Sequence, residues 1–320
     1  MDMAQGADAQ ELLGLDGLFA SAREGRPSQE LLDLRAVMRR LPMLGPFNAS
    51  LVHAQRPGAV YVAGAEQFAR DFGRQLRANA RPLVILRPFG PVSFVYDVAD
   101  TDGPPMPDDV LDVFRLSGPV TEDGLSALTD LLPAKGVIYE EADLGGQAGA
   151  AEHLDPPPML GVGRSEVAQH HRVSVDRGLS VAARLHTLFR LLGSIHCHHL
   201  EPAASGSRAH LPAMGQSSRD FEAATVAWLL EARLGLDRWS EAEPAEFLES
   251  FADLDGAMPP ISVDAVVSAT GKIEQIAGGL APLARLLSGP RSAQDGTSIP
   301  TQVTLDLFDE GDAPQQVQQS

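Results

Sequence analysis

The sequence predicts an α+β fold, with helices packed around a small, mostly antiparallel sheet. Three observations carry this. Apolar stripes of helical period recur along the chain, most clearly Leu185, Leu188, Phe189, Leu192 and Ile195. Two short β-rich runs, residues 82–86 and 92–98, flank the turn Phe89-Gly90-Pro91 and read as an antiparallel pair. Hydrophobic residues make up 44% of the 320 and charged residues 21%, values that allow a sizeable buried core.

Taken in order, residues 1–27 are rich in Ala, Gly and Asp and read as loosely ordered. Pro27 and Ser28 open a helix whose stripe is Leu31, Leu32, Leu34, Val37 and Met38, and which ends before Pro42. Residues 48–55 form a second helix, broken by Arg56-Pro57-Gly58, and 60–62 a short strand. A helix over 66–76 precedes the strand pair, and Gly103, Pro104, Pro105 and Pro107 make 100–109 a loop. Residues 122–133 are helix, 137–140 strand, 145–158 loop and 173–175 strand. Two long helices follow at 180–200 and 218–236, then a helix over 263–277 capped by Ser262. The chain thus divides into a segment 1–27, an N-terminal helical and β part 28–150, a helical part 151–289, and a polar tail 290–320 read as disordered.

The net charge of −18 is unevenly placed. Residues 1–100 balance 11 Arg against 11 acidic residues; residues 101–320 hold 14 basic against 32 acidic ones and should repel nucleic acid. Within the neutral part, Arg70, Arg74 and Arg77 fall at helical spacing, with Arg81 and Arg87 beyond them. The plain reading is a solvated helix face. The sharper one is a nucleic-acid contact, although neither a Lys cluster nor an aromatic platform accompanies it. No apolar stretch is long enough to span a membrane. The polar N-terminus lacks the pattern of a secretory leader, so a cytoplasmic protein is expected. Cys197 is the single cysteine, which rules out an internal disulfide and any multi-cysteine zinc cluster.

The helix over 180–200 carries a second stripe beside its core face: His186, Arg190, Ser194 and then Cys197 or His198. Thr187-Leu188-Phe189 and Cys197-His198-His199-Leu200 frame a segment that resembles the active-site helix of bacterial ImmA/IrrE-like metallopeptidases, which reads roughly TLxHELxHxxCGHL. Further segments are similar to that family: residues 51–59, 81–92 and 94–98, Phe221-Glu222-Ala223 with Val226-Ala227-Trp228-Leu229, and Pro259-Pro260-Ile261-Ser262. The resemblance covers about residues 30–280 and implies a zincin-like pair of active-site helices. Residues 48–91 also resemble the single-strand-binding part of ArdC-type antirestriction proteins.

The chemistry that the resemblance implies needs HExxH: two imidazoles on one helix face for zinc, a Glu between them as general base, and a third ligand from the next helix. Here those three positions are Arg190, Leu191 and Ser194, and only Glu222, at the third-ligand position, survives. A guanidinium repels a cation, Leu has no basic atom, and one carboxylate does not hold zinc. The expectation is a catalytically dead homologue that acts by binding a protein or peptide partner, with an Arg190–Glu222 ion pair in place of the metal. No cofactor is expected, and zinc only where the ligands have been rewired into an active metal-dependent hydrolase.

Four histidines crowd the same helix. His196 and His199 are three apart and could share an adventitious ion, while His198 lies one turn past Ser194. His186 and His198 are about 18 Å apart along a helix and cannot share one. Cys197 reads as a buried structural residue. A single-strand-associated protein remains the alternative, through the Arg70, Arg74 and Arg77 face.

Overall fold

The computed structural model describes residues 27–87, 92–162, 165–200, 214–236, 244–253 and 256–289. The turn at Phe89-Gly90-Pro91, nearly all of the N-terminal segment and the tail from residue 290 lie outside the described residues. The chain forms an α+β structure in two units, Leu51–Met106 and the remainder of the described residues.

The smaller unit is antiparallel throughout, as expected. Strands β1 (Val62–Ala63), β3 (Leu83–Ile85) and β4 (Ser93–Asp97) form a sheet in the order β1-β4-β3, with Val62 opposite Asp97 and Leu83 opposite Val95. Strands β2 (Gln75–Leu76) and β5 (Thr101–Asp102) pair separately. The alternation in β4 turns Val95 and Asp97 inward and leaves Phe94 exposed. Asp97 is buried because its carboxylate accepts the amides of Val60 and Ala99. Tyr61, Phe68 and Phe72 pack as an aromatic cluster, with ring centroids 5.5–6.2 Å apart. Helix α3 (Ala65–Phe72) is shorter than expected: Gly73, at φ 61°, takes the left-handed conformation and ends it, with its amide on the Phe68 carbonyl.

In the larger unit, α1 (Pro27–Arg40) and the start of α2 (Pro46–Gln55) lead into the chain, and α4 (Glu122–Thr129) precedes β6 (Val137–Ala142). The three-stranded sheet here is mixed. Its order is β6-β10-β7, with β10 (His171–Asp176) parallel to β6 and antiparallel to β7 (Gly149–His153). Strand β7 lies inside the expected loop 145–158. Its Gly-Ala-Ala-Glu-His run has no apolar alternation, and its place is set by pairing with β10. A hairpin of β8 (Met159–Val162) and β9 (Ser165–Ala168) was equally unmarked in the sequence.

Five helices complete the unit: α5 (Val181–His196), α6 (Gln216–Leu234), α7 (Pro244–Glu249), α8 (Val263–Glu274) and α9 (Leu280–Ser288). Leu185, Leu188, Phe189, Leu192 and Ile195 of α5 are all buried, as the stripe requires, and α5 packs on β7, β10, α6 and α8. Helix α6 is buried along nearly its whole length, from Phe221 to Leu230 without a break. Such all-round burial explains why Glu222 is inside. No described helix is long and apolar enough to cross a membrane.

Candidate metal centre

Helix α5 starts where Ser180 caps it, its hydroxyl accepting the Ala183 amide at 3.3 Å. Along the second stripe, His186 Nδ1 meets Glu231 of α6 at 2.7 Å. Arg190 is half-buried, and its Nε has no hydrogen-bond partner. Leu191 and Ser194 follow at the positions where the resemblance places the general base and second imidazole. None of the three is a zinc ligand by chemistry, so the helix centre does not fit the ion that the resemblance implies.

The end of α5 differs from the expectation. The helix stops at His196 and does not reach Leu200. His198 adopts φ 58°; its amide bonds the Ile195 carbonyl at 3.0 Å, and the His199 amide bonds Ser194 at 2.9 Å. This is the double closure of a Schellman turn, which usually places Gly at the left-handed position. A side chain there costs about 1–2 kcal/mol. The turn unstacks His196 from His199, so they are not the three-apart helical pair expected. His196 is half-buried, and burial, with Lys272, His198 and His171 adding to it, pushes it down to about 4. It is therefore neutral at pH 7.

His199 is carried toward α6. Its Nε2 lies 2.8 Å from Glu222 Oε2, and Glu222 Oε1 accepts the Ser262 amide at 2.7 Å. Ser262 is itself the N-cap of α8, with its hydroxyl on the Ala265 amide. Arg219 Nη1 donates to the His199 carbonyl at 3.5 Å. The expected Arg190–Glu222 pair is absent among the described residues: the carboxylate is bonded to His199 and to a backbone amide instead. The reason is geometric. Reversing the chain after Cys197 delivers an imidazole to the carboxylate, whereas Arg190 lies further back along α5.

Cys197 completes a group of three. Its thiol, the His199 ring and the Glu222 carboxylate bring one potential ligand atom each within 4.8 Å of one another, a cluster capable of coordinating a metal ion. Cys197 is 0% exposed, the Glu222 side chain 0% and the His199 side chain 5%. The sequence marks Glu222 and His199 as candidate ligands, whereas Cys197 reads from it as a buried structural residue. The available signal was a Cys-x-His at a helix end together with an acid on the next helix.

The Arg70, Arg74 and Arg77 face is not assembled as expected either. Arg70 lies in the last turn of α3, 2.9 Å from Asp71, while Gly73 turns the chain before the other two. Arg74 donates to the Thr101 hydroxyl and carbonyl at 2.7 and 3.0 Å and also to Gly103 and Pro104. Arg77 bonds Asp102 and the Ala99 carbonyl, each at 2.9 Å. These two guanidiniums hold β2, β5 and the following loop together.

No family model matches the chain, and no curated protein matches it. Among solved structures, it is similar to the Mn(II)-bound crystal structure of the antirestriction ArdC protein from the R388 plasmid, with 15% sequence identity and a TM-score of 0.30, over 82% of this chain and 97% of that one.

Proposed function

We propose that this is a non-hydrolytic protein, a metallopeptidase-like helix pair that acts by binding a protein or peptide. One observation carries the reading. Where HExxH chemistry needs two imidazoles and a carboxylate facing Glu222, α5 offers Arg190, Leu191 and Ser194, and Glu222 is bonded to His199 and the Ser262 amide. A zinc-bound water would have no base to take its proton at position 191. Internally quenched peptides incubated with the protein and added zinc or manganese are expected to show no cleavage above that of the Glu222→Ala variant. Turnover by the natural sequence that disappears with Glu222→Ala would refute the proposal.

A second reading, association with single-stranded nucleic acid, draws on the smaller unit. Strand β4 presents Phe94, 56% exposed, with Leu86 and Val92 also exposed beside it. Arg81 and Arg87 flank β3, both exposed and with no ion-pair partner among the described residues. An aromatic surface between exposed guanidiniums is the elementary single-strand platform, and it uses none of Arg70, Arg74 and Arg77. Anisotropy titrations with labelled oligo-dT are expected to show binding that weakens steeply with salt and is lost in Phe94→Ala. Binding unchanged by that substitution, or absent at low salt, would remove the reading.

A further inference from the structure

Among the buried polar atoms of the described residues, His199 Nδ1 has no hydrogen-bond partner. Buried imidazole nitrogens are rarely left unsatisfied. Its ring is already oriented, since Nε2 faces the Glu222 carboxylate at 2.8 Å. The two ring nitrogens point to opposite sides, so an ion shared with Glu222 takes over the Nε2–carboxylate contact, with Nε2 and a Glu222 oxygen among its ligands, and Nδ1 is left on the outer side, where metal-bound imidazoles meet a polar partner or water. The Cys197 thiol belongs to the same cluster.

We infer that Cys197, His199 and Glu222 form a binding site for one thiophilic divalent cation, zinc being the natural choice. Sulfur and imidazole donors exclude magnesium and calcium, which take oxygen ligands, and favour zinc. Ligand atoms around tetrahedral zinc lie about 3.5 Å apart, so the observed spread within 4.8 Å closes with small side-chain adjustments. The site lies at the end of α5, displaced from the helix centre to which the HExxH pattern would assign it. It uses Glu222 of α6, whose second oxygen is fixed by the N-cap amide of α8. An ion there ties three helices together. Its ligands are buried, and this inference stands apart from the non-hydrolytic reading: a zinc-binding chain that cleaved peptides would sink that reading and leave this one.

The test uses cobalt(II) as the probe, added under reducing, oxygen-free conditions to the full chain stripped of metal. A near-ultraviolet thiolate-to-cobalt absorption is expected, saturating at one ion per chain and bleached by zinc. Cys197 is the single cysteine, so any such band reports that residue without a variant. Cys197→Ser, checked for folding by circular dichroism, is expected to lose the band. His199→Gln and Glu222→Gln, checked likewise, are expected to weaken cobalt binding about 10-fold or more. The inference is overturned by a natural chain that gives no thiolate band, or by binding that is unchanged in folded His199→Gln and Glu222→Gln.

Discussion

Arg233→Ala is expected to cost about 3–5 kcal/mol of stability, the loss typical when one partner of a buried ion pair is removed. Arg233 is 1% exposed, on α6. Its Nε and Nη2 donate to the Glu274 carboxylate of α8, Nη1 to the Met38 carbonyl at 3.0 Å, and Nη2 to the Leu44 carbonyl at 2.7 Å. One guanidinium thereby satisfies a buried acid and the backbone that leaves α1. Burial pushes the Glu274 carboxyl up, and Arg233 is the group that opposes this. Without Arg233 the carboxyl takes up a proton or stays charged in the core, and the carbonyls lose their donor, which costs more. Urea denaturation of the natural chain, Arg233→Ala, Glu274→Gln and the double variant measures the coupling. A loss below about 1 kcal/mol for Arg233→Ala would mean that this clamp contributes little.

The second large effect is expected at Gly124. A Cβ there would come within 2.4 Å of the Leu287 carbonyl oxygen and 2.7 Å of the Leu286 oxygen. Both obstacles are backbone at the end of α9, which cannot rotate away. Gly124→Val must push α4 and α9 apart, a strain toward the upper end of the about 1–3 kcal/mol that overpacking costs. The gain in helix propensity over glycine, below about 1 kcal/mol, does not offset it. Thermal unfolding checks this: a melting temperature equal to the natural chain's would show that the helices part freely.

The contrast between Leu188 and His198 shows what the sequence made legible. The α5 stripe was readable because burial follows helical period whatever the residues' neighbours. The end of α5 was not, because the usual sign of a Schellman turn is glycine and here a histidine occupies the left-handed position. The sequence therefore suggests a helix as far as Leu200, with His199 and His196 on a shared face that the turn abolishes. Gly73 does carry the usual sign, yet the helical spacing of Arg70, Arg74 and Arg77 runs straight through it. Strand β7 depends on its partner β10, and short strands without alternation cannot be found from their own residues. Glu222 was singled out by resemblance, but its partners come from a turn and a helix cap, both set by tertiary structure.

The proposed metal site lies at the end of α5 and not at its middle. Zinc per chain, measured by elemental mass spectrometry on untagged protein purified without chelator, tests this most directly when Cys197→Ser and Arg190→Ala are measured alongside. The prediction is one zinc in the natural chain, retained in Arg190→Ala and lost in Cys197→Ser. A metal-free natural chain, or zinc indifferent to Cys197, would contradict it.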